Sequence, residues 1–273
     1  MVGCSSNPCR ARAASLRRDG HMTSNLDAAI SRRPPIGLLD KASLFLDFDG
    51  TIVSIAPRPD AVRITMRLRQ ILERLIERLN GRVAILTGRS AADVEQMLHP
   101  LSLAIGGHHG LEMRIEGIST GIERPALLDE LIEQLRTLER EYPGVLIEEK
   151  PLGIALHYRQ APGAGEACRV AVERAAEQSG FEVQPGKMVF EIKPRGADKG
   201  IALRQLMDQK RFRGTTPVAI GDDLTDEPAF VAAQELGGAG VIVGAREPSA
   251  ARYRLRSVPQ ALQWLHQACE AIA

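Results

Sequence analysis

Aromatic side chains are scarce in this chain, with one Trp, three Tyr and six Phe among 273 residues. No basic run is interleaved with them, so a nucleic-acid-binding surface has no footing. Net charge is nearly absent as well, since 35 Lys and Arg against 34 Asp and Glu leave +1. No global field therefore draws the protein to nucleic acid or to a membrane surface. Long apolar runs are missing, and none approaches the roughly 20 residues that a bilayer-spanning helix requires. The four cysteines, Cys4, Cys9, Cys168 and Cys269, form no CxxC pair and have no companion His at metal spacing. They read as free thiols in a reducing compartment, so a cytoplasmic location is expected.

What is present is ordinary globular material, 44% hydrophobic and 25% charged. The length suits one large domain, or a core domain with a smaller one. Residues 1–40 differ from the rest, being rich in Arg, Ser and Ala, with Pro34-Pro35 near the end. They lack the apolar core of a secretory signal. A disordered N-terminal extension is expected, or an over-long start with the true one at Met22.

Beyond it, strand and helix patterns alternate. Leu44 to Phe48, Arg82 to Leu86, Leu103 to Ile105, Pro217 to Ile220 and Gly240 to Val243 are short apolar runs that suit buried strands. Between the first two, Leu68, Ile71, Leu72, Leu75 and Leu79 trace one face of a helix that Thr65 can cap. Ser90 fits a second helix cap, and a third helix is expected from near Thr225. Buried strands separated by helices imply an α/β fold with a Rossmann-like parallel sheet, covered on both faces. Functional groups belong at the carboxyl ends of such strands, and Asp47, Thr87 and Asp222 each follow one directly.

The middle reads differently. Two helical stretches, Leu127 to Tyr142 and Ala164 to Ser179, alternate with strand pairs at 145–158 and 181–192. Pairs joined by short turns indicate antiparallel hairpins. An α+β insertion over 115–193 is therefore expected to interrupt a core made of 41–114 and 194–273.

Four motifs carry chemistry. Asp47-Phe48-Asp49-Gly50-Thr51 places two carboxylates two residues apart at a strand end, an arrangement that makes sense around a divalent cation or a transferring phosphoryl group. Gly221-Asp222-Asp223-Leu224-Thr225-Asp226-Glu227 supplies further carboxylates at another strand end, with Thr225 or Asp226 suited to cap the next helix. Magnesium favours oxygen ligands in octahedral geometry, and Asp47, Asp49 (through its carbonyl), Asp222 and Asp223 are the expected set. Thr87-Gly88-Arg89 offers a hydroxyl and backbone N–H groups for phosphate oxygens. Lys199, opening a helix after Asp198, can offset carboxylate and phosphate charge.

In this order the motifs resemble the haloacid dehalogenase superfamily of phosphatases over about Leu44 to Val243, with the insertion standing where that superfamily carries a C2-type cap. Gly107-His108-His109-Gly110-Leu111-Glu112, Lys150, His157-Tyr158-Arg159, Lys187 four residues before Glu191, and Lys193-Pro194 narrow the resemblance to the trehalose-6-phosphate phosphatase family. The resemblance implies a magnesium-dependent phosphatase. In it Asp47 is the nucleophile, Asp49 the general acid and base, and Thr87 and Lys199 the phosphate-stabilising groups. It also implies substrate contacts from Arg89, His109, Glu112, Lys150, His157, Arg159, Lys187 and Glu191. The expected partner is a small sugar phosphate, with functional coupling to a trehalose-6-phosphate synthase. A phosphatase for sucrose 6-phosphate or mannosyl-3-phosphoglycerate, a phosphomutase, and a non-catalytic sugar-phosphate sensor remain open at this point.

Overall fold

The structure, a computed structural model, describes residue 1 and residues 32–272 apart from 56–60, 122–123, 178–179, 187 and 197. Strand β1 (Ala42–Leu46) is buried at every position. Such a strand needs cover on both faces and partners on both edges. It finds parallel partners in β10 (Thr216–Gly221) and β2 (Val83–Leu86). The parallel run continues through β3 (Ala104–Gly107) on one side, and through β11 (Ala239–Val243) and β12 (Tyr253–Leu255) on the other. Leu44 and Leu46 pack with helices α1 (Met66–Arg78), α2 (Ala91–Leu98) and α7 (Val258–Ala271) on one face. Phe45 packs with α5 (Lys199–Met207) and α6 (Glu227–Glu235) on the other. The expected caps Thr65 and Ser90 each accept a main-chain N–H in the first turn of α1 and α2, and Asp198 does the same for α5. The cap expected from Thr225 or Asp226 is not made by either side chain at α6, because a 3-10 turn capped by Asp223 precedes that helix.

The hairpin of β4 (Glu112–Ile115) and β5 (Ile118–Gly121) does not belong to the insertion. β4 pairs antiparallel with β3, so the hairpin extends the core sheet to eight strands. The expected boundary at 115 therefore moves beyond Gly121. In the sequence, Glu112 to Ile118 alternates as a strand does, which does not tell which sheet it joins. The second sheet is antiparallel throughout, in the order β6 (Leu146–Lys150), β7 (Gly153–His157), β9 (Val189–Pro194), β8 (Phe181–Gly186). Helices α3 (Leu127–Glu141) and α4 (Gly165–Glu177) cover one of its faces, and Leu131, Leu135, Val172, Ile154, Leu156 and Ile192 form a hydrophobic cluster separate from those of the core. By the period-2 rule, Glu191 and Lys193 lie on the opposite face.

The expectation of disorder up to residue 40 also fails for its last part. Leu39 is fully buried, the Trp264 indole donates to the Pro34 carbonyl at 3.0 Å, and the Arg254 N–H donates to the Arg32 carbonyl at 2.8 Å. Residues 32–40 are thus pinned by α7 and β12, two elements whose pairing with them has no local sequence signal. Residues 2–31, including Cys4, Cys9 and Met22, lie outside the described residues. Cys168 and Cys269 are buried free thiols. No described helix is long and apolar enough to cross a membrane.

Candidate active site

The carboxyl ends of β1, β2 and β10 open into a cleft of about 520 Å³, roofed by the polar face of the second sheet. Asp47 follows β1, and its N–H donates to the Ile220 carbonyl of β10 at 2.8 Å. Its Oδ1 accepts from Lys199 Nζ at 2.6 Å, while Oδ2 is buried without a hydrogen-bond partner. Lys199 is only 2% exposed and also donates to Asp226 Oδ1 at 2.6 Å. Asp226 ends a 3-10 turn (Leu224–Asp226), and its Oδ2 accepts the N–H groups of Asp222 and Asp223 at 2.9 and 3.0 Å. This one carboxylate therefore ties the acidic loop to the lysine. Gly50 turns the DxDGT loop with φ +86°, and a Cβ there would stand 2.1 Å from Asp222 Oδ2, so only glycine lets the two acidic loops meet.

Ligand oxygens of Asp47, Asp222 and Asp226 lie within 4.8 Å of one another. Three carboxylates around one ammonium leave an excess of negative charge. Burial, followed by Asp226 and Asp223, pushes the Asp222 carboxyl up to about 6. Burial likewise raises Asp47, with Lys199 opposing it. Burial alone would lower Lys199, yet Asp47 and Asp226 outweigh it and hold the ammonium above its ordinary range. A neutral Asp47 and a Lys199 stabilised by its charge are not compatible. The 2.6 Å contacts favour the charged pair, and a divalent cation supplies the countercharge the remaining carboxylate lacks. The orphaned Asp47 Oδ2 and the all-oxygen donor set fit such an ion.

Opposite this cluster, Arg89 grips Asp49 in a fork, Nε to Oδ2 at 2.6 Å and Nη2 to Oδ1 at 2.8 Å. The hydrogen bond to Asp49 raises the guanidinium further, against the cost of burial, so it stays charged. The Thr87 hydroxyl accepts the Arg89 N–H at 3.1 Å. His109 takes a left-handed conformation, and burial, followed by Lys199, Lys193 and Lys150, drives its imidazole down to about 3, so it is neutral near pH 7.

Of the expected residues, Asp47, Asp49, Thr87, Arg89, His109, Glu191, Lys199, Asp222 and Asp223 line the cleft. Lys150 pairs with Glu191 at 2.8 Å and lines an adjoining recess with His108, His109 and Lys193. Asp223 mainly caps the 3-10 turn, its carboxylate accepting the Leu224 N–H at 2.6 Å. Asp226 takes its place in the acidic cluster. His157 pairs with Glu148 at 2.9 Å on the exposed part of β6 and β7. His157, Arg159 and Glu112 are not among the cleft-lining residues. Lys187 lies outside the described residues. Gln184 was not anticipated; strand register sets it directly opposite Glu191, and both face the cleft. The alternation of β8 carries that signal once the pairing is known.

A parallel sheet with DxDGT after its central strand, a buried lysine on a later helix and an inserted antiparallel unit define a hydrolase of the haloacid dehalogenase type. A haloacid dehalogenase-like hydrolase from Bacteroides thetaiotaomicron shares the fold at TM-score 0.62 and 18% identity, covering 85% of this chain and 98% of that one. The chain belongs to the trehalose-phosphatase family, whose sequence profile matches residues 45–259. It is 37% identical over 235 residues to the trehalose-6-phosphate phosphatase of Escherichia coli (strain K12), covering 85% of this chain and 88% of that protein. It is also 37% identical over 226 residues to a probable trehalose-phosphate phosphatase of Sinorhizobium fredii (strain NBRC 101917 / NGR234), covering 82% and 84%. The C-terminal domain of a Candida albicans trehalose-6-phosphate phosphatase matches in fold at TM-score 0.73 and 22% identity, covering 89% of this chain and 99% of that one.

Proposed function

We propose that the chain hydrolyses trehalose 6-phosphate to trehalose and phosphate, completing trehalose biosynthesis, through an aspartyl-phosphate on Asp47. The observation that carries this reading is Asp47 itself, a buried cleft-lining carboxylate at the end of the central strand, with one oxygen held by Lys199 and the other without a hydrogen-bond partner. Asp47 Oδ2 attacks phosphorus, and the bond from phosphorus to the sugar oxygen breaks. Asp49, released from the Arg89 fork and protonated, gives that oxygen its proton, and the Thr87 hydroxyl and Lys199 steady the phosphoryl oxygens. Water then attacks the acyl-phosphate, Asp49 takes its proton, phosphate leaves and Asp47 is restored. Two steps suit a bond whose uncatalysed hydrolysis is slow enough to need up to roughly 10²¹-fold acceleration.

Magnesium is the proposed metal, held by Asp47 and Asp222, with the Asp49 carbonyl and Asp223 as further candidates; bound there, it neutralises phosphoryl charge. Asp226 serves the cluster by anchoring Lys199 and the acidic loop. On the second sheet, which acts as the cap, Lys150 and Glu191 are the proposed sugar contacts, with Lys187, four residues before Glu191 in sequence, as a further candidate. Lys plus Glu supply the donors and acceptors that sugar hydroxyls need. His109 and Arg89 face the same cleft, the first as a neutral group and the second as a fixed cation. The substrate would come from a trehalose-6-phosphate synthase, and the free thiols Cys168 and Cys269 favour a cytoplasmic setting.

The test is phosphate release across sugar phosphates. Trehalose 6-phosphate should exceed glucose 6-phosphate in kcat/KM by several orders of magnitude, because a site built for hydroxyls leaves its own polar groups unpaired when the second ring is missing. A preference for glucose 6-phosphate or sucrose 6-phosphate would overturn the substrate while leaving the phosphatase core.

A further inference from the structure

Glu112, expected at the substrate, is aimed elsewhere. After β3 the chain passes through His108, His109 and Gly110 at φ 47°, 57° and 99°. Two of these are non-glycine residues in the left-handed region, a conformation that costs free energy and persists only where the surroundings enforce it. The turn sends β4 back along β3, with Glu112 opposite Gly107. The Glu112 carboxylate thereby reaches the start of α2, and Oε2 accepts the Ala91 N–H at 2.8 Å. That N–H belongs to a first helical turn and has no partner inside the helix, and a carboxylate there is favoured by the helix dipole.

The same segment grips the phosphate-facing turn twice more. The His108 N–H donates to the Arg89 carbonyl at 2.9 Å, and the His109 N–H donates to the Thr87 carbonyl at 2.8 Å. The fit is close: a Cβ on Gly107 would stand 2.6 Å from the Ala91 nitrogen and 3.1 Å from Glu112 Oε2. Three bonds thus clamp the Thr87–Ala91 turn, and only the one from Glu112 is made by a side chain.

We infer that Glu112 is a positioning residue, which sets the Thr87 hydroxyl and the Arg89 guanidinium against the phosphoryl group by holding the start of α2, and does not touch the sugar. The inference rests on the phosphatase reading of the cleft. A sugar contact acts only on substrates that carry the sugar, whereas a clamp on the phosphate turn acts on every phosphate ester.

The experiment measures trehalose 6-phosphate and p-nitrophenyl phosphate turnover, and orthovanadate inhibition, in Glu112→Ala, Glu112→Gln and Glu112→Asp of the full chain. Glu112→Ala should lower kcat/KM for both substrates by the same factor, about 10- to 100-fold as a displaced catalytic group does, with orthovanadate binding weakened in step. Glu112→Gln, whose amide oxygen still accepts the Ala91 N–H, should stay within about threefold of the unmodified enzyme, the scale of a small change in one hydrogen bond. Glu112→Asp keeps the charge but falls one methylene short, and should behave like the alanine variant. Should Glu112→Ala fail to fold, the contrast between Gln and Asp decides alone. Loss confined to trehalose 6-phosphate, a Gln variant as damaged as Ala, or no loss in any variant overturns the inference. An unmodified enzyme that releases phosphate from neither ester overturns the phosphatase reading instead, and the inference with it.

Discussion

The polar groups that face the cleft from the core are held differently from those that face it across from the cap. In the core, Lys199 sits between Asp47 and Asp226 with all three side chains no more than 7% exposed. On the cap, the side chains of Lys150 and Glu191 are 33% and 25% exposed. Removing one partner of a buried pair leaves a stranded charge and costs about 3–5 kcal/mol, and a fully exposed pair contributes about 0.2–1 kcal/mol; the half-buried Lys150–Glu191 pair falls between these limits. Core groups are therefore fixed and fit for chemistry common to all phosphate esters. Cap groups can exchange their partner for a ligand hydroxyl at smaller cost, which is what selectivity among sugars needs.

The comparison breaks most visibly at Asp47. Asp47→Asn should lose about 10⁴-fold or more in kcat toward trehalose 6-phosphate and p-nitrophenyl phosphate alike, as nucleophile removals do. Thermal unfolding should show the protein folded, and appreciable turnover by that variant would sink the covalent route. Chelation by EDTA should stop turnover, with magnesium restoring it. Asp226→Asn, which strips charge from the partner of Lys199, should raise the magnesium requirement more than Asp223→Asn; magnesium titration of both variants checks the ranking.

On the cap, Glu191→Ala and Lys150→Ala should each lower kcat/KM for trehalose 6-phosphate by about 10- to 100-fold, the scale of one or two lost hydrogen bonds to a bound group. p-Nitrophenyl phosphate should change little, and parallel losses would place both residues with the catalytic core. The histidines extend the comparison to pH. Burial lowers His109 to about 3 from 6.5, so between those values the unfolded chain binds a proton that the folded one refuses. Stability is thus lost as pH falls below 6.5, by about 2 kcal/mol at pH 5 from this group. His109→Gln should flatten that part of the acid-unfolding curve. Exposed His157→Ala should alter stability by less than about 1 kcal/mol and turnover by less than about twofold; a selective loss with trehalose 6-phosphate would enlarge the sugar-binding surface.

Legibility in the sequence followed locality. The strand runs ending in Asp47, Thr87 and Asp222 could be read directly, since apolar stretches, loop chemistry and caps are encoded within a few residues. Cover on both faces of the sheet followed from the same runs. The β4–β5 hairpin could be seen as strand but not assigned, because joining β3 depends on the left-handed turn at His108 and His109. That turn also redirected Glu112 from the substrate to α2. Asp226 could be read only as a candidate cap for α6, a bond its side chain does not make; its bonds to Lys199 and to the N–H groups of Asp222 and Asp223 depend on the 3-10 turn before α6, which seven residues of sequence do not announce. The fork between Arg89 and Asp49, 40 residues apart, has no local sign at all.

The order in which strands occur along the chain has a consequence for how the protein is made. β1 lies at the middle of its sheet, but its neighbour β10 begins at Thr216, so Ala42 meets Thr216 only after the intervening chain exists. The cap, by contrast, draws its hydrophobic cluster from the continuous stretch between Leu127 and Ile192. On a ribosome the cap can therefore close its own interior while the half-built core still exposes β1 and β2. Contacts this distant in sequence form late and slowly, and unpaired strand edges invite aggregation meanwhile. On the proposed function, the sheet that carries Lys150 and Glu191 can therefore mature before the one that carries Asp47.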